Sequence, residues 1–166
     1  MKTTKLALFA FVMILALQAC KKNKDEEANK AKADLFRSYL DGKQFRAASF
    51  VSDKPIDYIQ TDSVVKAETD LWLYVKEHIV DDTNIFSDPS LLTIQQNTLK
   101  APMNDTAILT RNYAVTYDKN SVMLEFVDYD YKQLKYRLKD FNDDNFTLYV
   151  NFKNEATLYS RFDRID

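Results

Sequence analysis

Glycine is almost missing from this chain of 166 residues; Gly42 is the single one. That excludes a glycine-rich phosphate loop and a nucleophile elbow, which need glycine where the backbone approaches a ligand or turns sharply. It also leaves turns with positive φ to asparagine and aspartate, the next most tolerant residues there. Histidine and cysteine occur once each, as His78 and Cys20. Zinc sites built from His and Cys cannot be assembled from that pair within one chain. A Ser-His-Asp arrangement would have to use His78, and its neighbours Lys76, Glu77 and Asp81 point instead to a solvated surface residue. One cysteine allows no disulfide within the chain, so stability must come from a core. Charge of one sign is missing too: 23 Lys+Arg stand against 25 Asp+Glu, for a net charge of −2. The lysines are spread among acids rather than gathered into a basic stripe, so nucleic acid is not an expected partner.

Long hydrophobic runs are confined to the start. Lys2 and Lys5 are followed by an uncharged stretch from Leu6 to Ala19, the pattern of a secretory leader. The run is about fourteen residues, short of the roughly twenty that span a bilayer as a helix. A cleaved leader over residues 1–19 is therefore expected. Its end, Leu17-Gln18-Ala19-Cys20, resembles a bacterial lipobox, with a large aliphatic residue three before the cysteine and a small one just before it. That resemblance implies a diacylglycerol thioether on Cys20, cleavage in front of it, and acylation of the new amine, as with palmitate. An ordinary leader with an incidental cysteine is the alternative. One acyl chain holds a protein only marginally, at about 0.8 kcal/mol per buried methylene, whereas two or three make the attachment durable. Losing Lys2 and Lys5 with the leader takes the net charge from −2 to −4.

Residues 21–33 hold no aromatic or β-branched residue and are dense in charge, so 20–33 reads as a lipidated cysteine and solvated tether. Lys24-Asp25-Glu26-Glu27 resembles the lysine-plus-acidic tag that sends some Gram-negative lipoproteins to the outer face of the outer membrane. Surface exposure and a periplasm-facing position both remain open. Residues 34–166 are enough for one domain with a real core.

Within that domain, Ala33 to Leu40 reads as one or two helical turns, and Lys43 to Val51 as a first strand before a break at Asp53-Lys54-Pro55. Asp70 to Val80 fits either period; a short helix capped by Thr69 is the favoured reading. A strand follows at Leu91 to Gln96, with Pro102 in the next loop. Tyr113, Val115 and Tyr117, a turn at Asp118-Lys119-Asn120, then Val122, Leu124 and Phe126 read as a β-hairpin. Tyr136 and Leu138, the turn 142–145, the alternating Phe146, Leu148, Val150 and Phe152, and a strand from Thr157 to Ile165 continue the pattern. Short strands with regular turn signals suggest an antiparallel barrel or sandwich. At YRLKDFNDDNFTLYVNF, residues 136–152, the chain resembles the late hairpin of lipocalin-like lipoproteins, and LDGKQFRAASF, residues 40–50, sits where that family has its first strand. Phe45 stands where the family has tryptophan; Trp72 is the only tryptophan and lies elsewhere. The resemblance implies a mainly β, lipocalin-like antiparallel barrel with one or two short helices, often with a small apolar ligand cavity.

Two acidic patterns carry possible chemistry. Residues 56–72 overlay partly on a calcium loop, with Asp57 first, Thr61 fifth, Ser63 seventh, Val64 at the apolar eighth place and Glu68 twelfth. The stretch resembles the Asp-x-Asn-x-Asp-Gly loops of some lipocalin-like lipoproteins. Ile59 replaces the third-position ligand and Asp62 the turning glycine, so calcium is not the expected cofactor. Asp128, Asp130, Asp143 and Asp144 are candidates by type for a carboxylate pair, which would need two acids facing each other in a cleft about 5 to 9 Å apart. Turn or solvent-face roles compete with that reading. The aromatics Phe126, Tyr129, Tyr131, Tyr136, Phe141, Phe146, Tyr149, Phe152, Tyr159 and Phe162 suit a barrel interior. Tyr149 and Tyr159, with Tyr117 or Tyr129, are the candidates for an exposed patch that a glycan or protein partner would touch.

Three readings follow. The chain is a membrane-anchored envelope lipoprotein acting as a non-catalytic ligand-binding or interaction module; or a structural, accessory envelope lipoprotein with a filled barrel; or a carboxylate-based hydrolase. A cavity open at one end separates the first from the second.

Overall fold

A computed structural model describes residues 24–60, 63–87, 89–99, 106–128, 131–153 and 155–166, with backbone alone at 58–60 and 63–66. The leader and Cys20 lie outside these residues, as do Thr61, Asp62, Pro102, Tyr129, Asp130 and Asn154. Helix α1 covers residues 24–40. Strands β1 (Gln44–Gln60) and β2 (Ser63–Asp70) lead to a 3-10 turn at Trp72–Tyr74 and helix α2 (Glu77–Asp81). Then follow β3 (Thr83–Ser87), β4 (Leu91–Gln95), β5 (Ile108–Tyr117), β6 (Val122–Val127), β7 (Gln133–Phe141), β8 (Asn145–Phe152) and β9 (Ala156–Arg164).

The strands lie in the order β2-β1-β3-β4-β5-β6-β7-β8-β9, and β1 pairs with β9 as well. β1 and β3–β9 therefore close an eight-stranded antiparallel barrel, and β2 is one extra strand folded back on the second half of β1. Closure removes the exposed edges that an open sheet would present. Of the barrel and sandwich that the strand pattern allowed, the mainly β antiparallel barrel is what forms, consistent with the lipocalin-like barrel that the resemblance implied. The hairpin read from alternation has the expected register, Tyr113 opposite Phe126, Val115 opposite Leu124 and Tyr117 opposite Val122. β2 and β3 were not read from the sequence as strands. The break at Asp53-Lys54-Pro55 is an irregularity within β1, where pairing with β2 jumps from Val51 to Ile56. Asp53 Oδ1 accepts the Thr157 N–H at 2.8 Å across that irregularity.

The described turns do not use the residues that glycine scarcity predicted. Among the described residues, positive φ falls on Ala67 (56°), Tyr131 (61°), Lys153 (48°) and Gly42 (70°), and on no asparagine or aspartate. Asn and Asp act through their side chains instead. Asp118 Oδ1 accepts the N–H groups of Asn120 and Ser121 at 2.7 and 2.9 Å, and Asn142 Oδ1 those of Asp144 and Asn145 at 2.9 and 3.0 Å. These Asx turns reverse the chain with φ negative, so no left-handed residue is needed.

The two ends of the barrel differ. One carries the short β3–β4, β5–β6 and β7–β8 turns and is closed by α1. Ala33, Phe36 and Leu40, spaced three and four apart, are fully buried there. Phe36 packs on Phe141 and Phe146, and Phe45 meets Phe146 edge-on at 4.9 Å between ring centres. Phe45, at the position where tryptophan was expected, is fully buried in this aromatic core. The helix already covers residue 24, the first described residue, inside the stretch read as a tether to residue 33. Poverty in aromatic and β-branched residues marks disorder, but Glu26-Glu27-Ala28 and Lys30-Ala31-Lys32-Ala33 are also strong helix formers. Once the Ala33-Phe36-Leu40 stripe docks, the helix extends back through them; residues 24–28 stay exposed.

Candidate functional site

The other half of the barrel is not filled. A cavity of about 340 Å³ opens there, at the lower end of the roughly 300–1,000 Å³ range of small-ligand sites. Its back wall is made by inward residues of adjacent strands, Phe126 on β6, Leu134 and Tyr136 on β7, Leu148 on β8 and Phe162 on β9. Period-two alternation turns these to the interior together. Phe126 and Tyr136 stack, with centres 5.8 Å apart and planes 17° from parallel. Below the cavity, Phe162 stacks on buried Phe146 at 4.9 Å, marking where the packed core begins.

The front of the cavity lies at a gap in the barrel wall. β1 pairs with β9 from Phe45 to Ser52, but with β3 only through Gln44–Ile85 and Phe45–Asn84. Above that point the β2–β3 connection replaces the missing ladder. It is fixed at both ends. Leu71 is fully buried in a second small core with Ile56, Ala156 and Leu158, and its N–H donates to the Phe50 carbonyl at 2.9 Å. Asp81 Oδ2 accepts the N–H groups of Thr98 and Leu99 at 2.8 and 3.1 Å, and the Asn97 side chain donates to the Asp81 carbonyl. Between these anchors the backbone turns on local bonds: Tyr74 N–H donates to the Leu71 carbonyl, Val75 N–H to that of Trp72 and Ile79 N–H to that of Lys76. From this lid Trp72, Tyr74, Val75 and Ile79 face the cavity, while Leu73 is 84 % exposed.

Polar groups are few and gathered toward the lid side. Lys76 and His78 come from the lid, Asn84 from β3 and Ser49 from β1, with Asp128 on the rim at the end of β6. His78 is buried, only 8 % exposed, which corrects the expectation of a solvated surface residue. The charged neighbours Lys76 and Glu77 are exposed; α2 turns His78 the other way, toward the interior. An apolar chamber with a few polar groups along one side suits holding and orienting a small, largely apolar molecule.

The other candidate residues fall elsewhere. Asp57 and Glu68 stand on neighbouring strands of the β1–β2 hairpin, with Ile56 opposite Glu68, and Thr61 lies outside the described residues. Ser63 and Val64 are strand residues opposite Gln60 and Ile59. Asp57 Oδ1 accepts the Ala67 N–H at 3.2 Å, where one extra residue bulges β2 and Ala67 takes a positive φ. The overlay on a calcium loop thus meets a bulged hairpin, and the Asp57 carboxylate caps its bulge. Among the described residues, no cluster of three or more His, Cys, Asp or Glu side chains suits a metal ion. Asp128 binds the Lys132 N–H at 2.8 Å in the β6–β7 turn, whereas Asp143 and Asp144 lie in the β7–β8 turn at the opposite end. The described carboxylates are not brought together, and Asp130 lies outside the described residues.

Tyr149 and Tyr159 do pair on the outer surface, 6.2 Å between ring centres, with Lys139 Nζ 4.7 Å over the Tyr159 ring. Tyr117 is exposed as well but ends β5, which is separated from β8 and β9 by β6 and β7, so it stands apart from this pair. Sequence reading found Phe126, Tyr136 and Phe162 as interior aromatics but missed the lid. Its one signal was that the only tryptophan and the only histidine share the short stretch whose periodicity fits helix and strand alike, and the short helix favoured there forms as the 3-10 turn and α2. Comparison with protein-family models, with curated proteins and with solved structures gives no match for this chain.

Proposed function

We propose that this chain is a non-catalytic envelope lipoprotein, anchored to the outer membrane through an acylated Cys20, whose barrel binds a small, largely apolar ligand. The observation that carries the binding reading is the cavity of about 340 Å³, walled by stacked aromatics and aliphatics and bordered by a few polar groups. A barrel serving only as a packed structural element gains nothing from such a void, because unfilled core volume is destabilising. The anchor reading is supported by the leader and by Leu17-Gln18-Ala19-Cys20.

Trp72 supplies the test, because the sole tryptophan lines the cavity. The neutral fluorophore phenylnaphthylamine, titrated into the domain, is expected to brighten at saturable stoichiometry and to quench Trp72 by energy transfer. Absence of saturable binding, with the domain folded, would leave the packed structural role as the better account. For the anchor, the Cys20→Ser protein is expected to leave the membrane fraction after a high-salt wash while the parent stays. Intact-mass analysis of the parent should find the acyl groups.

A further inference from the structure

Helix α1 determines which end of the barrel faces the anchor. We propose that the cavity mouth points away from the bilayer that holds Cys20, so that its ligand is water-borne and is not drawn from the anchoring leaflet. This orientation presupposes the acylated Cys20 and the ligand-binding cavity proposed above.

α1 crosses the closed end as a strap. At its C-terminal end, Lys43 N–H donates to the Leu40 carbonyl at 3.0 Å and Gly42 N–H to the Phe86 carbonyl at 2.8 Å, which fixes it beside β1 and β3. Further back it is tied to the opposite wall. The Asn29 side chain donates to the Asp118 carbonyl in the β5–β6 turn at 2.9 Å, and Arg37 Nη2 to the Val115 carbonyl at 3.0 Å. The start of α1 therefore overhangs the closed end next to that turn.

Covalent geometry then limits the anchor. From Asn29 back to residue 24 the helix rises about 7.5 Å, and four more residues to Cys20 reach at most about 14 Å. Cys20 thus stays within about 21 Å of Asn29, and because the helix lies across the closed end, only about the last 14 Å of that can run along the barrel axis. The barrel is taller than that: β5 has ten residues, and at about 3.4 Å each and a tilt of roughly 40° it covers about 24 Å of the axis, with the lid standing beyond. A mouth laid on the anchoring bilayer would lift the closed end out of the anchor's reach unless α1 melted. The chemistry of the mouth agrees: Lys76 and Asp128 line it, and Glu77 and Lys132 are exposed on α2 and the β6–β7 turn, charges of both signs that favour water over hydrocarbon.

The test uses the lipidated protein purified from membranes and bound to phosphatidylethanolamine–phosphatidylglycerol vesicles carrying dansyl-labelled headgroups. Trp72 is the donor at the mouth. A second protein with Trp72→Phe and Lys119→Trp moves the donor to the β5–β6 turn. Energy transfer to the bilayer is expected to be several-fold stronger from position 119 than from position 72. Phenylnaphthylamine added in water should reach the cavity as readily in the vesicle-bound protein as in free Cys20→Ser protein. Equal or stronger transfer from Trp72 overturns the orientation, and probe that enters only when dissolved in the same vesicles overturns the water-borne source. Failure to bind vesicles removes the anchor, failure of the free protein to bind the probe removes the cavity reading, and either removes the orientation with it.

Discussion

Tyr39 sits between α1 and the aromatic core, stacked on Phe36 and tilted against Phe45 and Phe141. Its hydroxyl is buried and has no hydrogen-bond partner among the described residues. Burial, with Asp144, Asp143 and Asp166 nearby and only partly offset by Arg164, pushes its pKa from 10.0 up to about 12. The native state therefore holds this proton more tightly than the unfolded chain does. The resulting stability is full below pH 10 and is lost as the pH rises from 10 toward 12. Tyr39→Phe is expected to be neutral or up to about 1 kcal/mol more stable at pH 7, since it removes an unsatisfied polar group. Urea melts of the variant should also lose less stability between pH 10 and 12 than those of the parent. Glu125 shows the opposite sign on the outer surface. Lys135 at 2.8 Å and the Thr116 hydroxyl at 2.8 Å hold its carboxyl below the usual value of 4.5. Its contribution is present above pH 4.5 and is lost as the pH falls through the lower folded value. Glu125→Gln should cost roughly 1 kcal/mol at pH 7 and should narrow the gap to the parent at pH 3, both read from chemical denaturation. Neither effect was legible in the sequence, because alternation assigns a residue to a face but not its partner across the next strand.

Helix α1 joins local pattern to global packing. Phe36 is fully buried and Leu35, its neighbour, is 64 % exposed. Phe36→Ala is expected to cost about 3–5 kcal/mol, the usual penalty for emptying a buried phenylalanine site. Leu35→Ala should change the thermal midpoint little, and a comparable loss from both would mean that α1 does not dock as a strap. The stripe Ala33, Phe36, Leu40 was legible as one or two helical turns from Ala33 to Leu40, while the helix upstream shares its composition with a disordered tether. The hairpins of the second half were legible because alternation and turn residues agree there. β3 escaped because Thr83–Ser87 is only five residues and is partly buried on both faces, so it shows no clean alternation. The lid escaped for a different reason. The N-cap residues Leu71 and Lys76 make no side-chain cap bond; apart from Asp70 Oδ1, which accepts the Trp72 N–H at 3.0 Å, the lid is held at its ends by tertiary contacts at Leu71 and Asp81. At the calcium overlay, spacing in sequence is blind to pairing: Asp57 and Glu68 stand on paired strands, and the Asp57 carboxylate binds the Ala67 N–H of a β-bulge.

The barrel as a whole divides its interior between stability and vacancy. The closed half packs Phe36, Phe45, Phe86 and Phe146 with no more than a few per cent exposure each, while the open half keeps its cavity beneath the lid. Proteins of ordinary stability tolerate such a void only if the packed half supplies the margin, and filling it should then stabilise the fold at the expense of binding. Ala47, on β1, faces the void. Ala47→Leu adds three carbons to the cavity, worth up to about 2 kcal/mol if they are buried without strain. The expected outcome is a raised or unchanged melting temperature together with at least a tenfold loss of phenylnaphthylamine affinity, about 1.4 kcal/mol in binding. A barrel that is closed and full in solution would respond in the opposite sense. There the extra carbons would overpack the interior and cost roughly 1–3 kcal/mol, with no probe binding to lose. Measuring melting temperature and probe affinity on the same two proteins therefore separates a binding chamber from a packing void. In a binding chamber, saturating probe should also raise the parent's melting temperature, by about 2.7 kcal/mol of stability at a hundredfold excess over Kd, and leave that of Ala47→Leu almost unmoved.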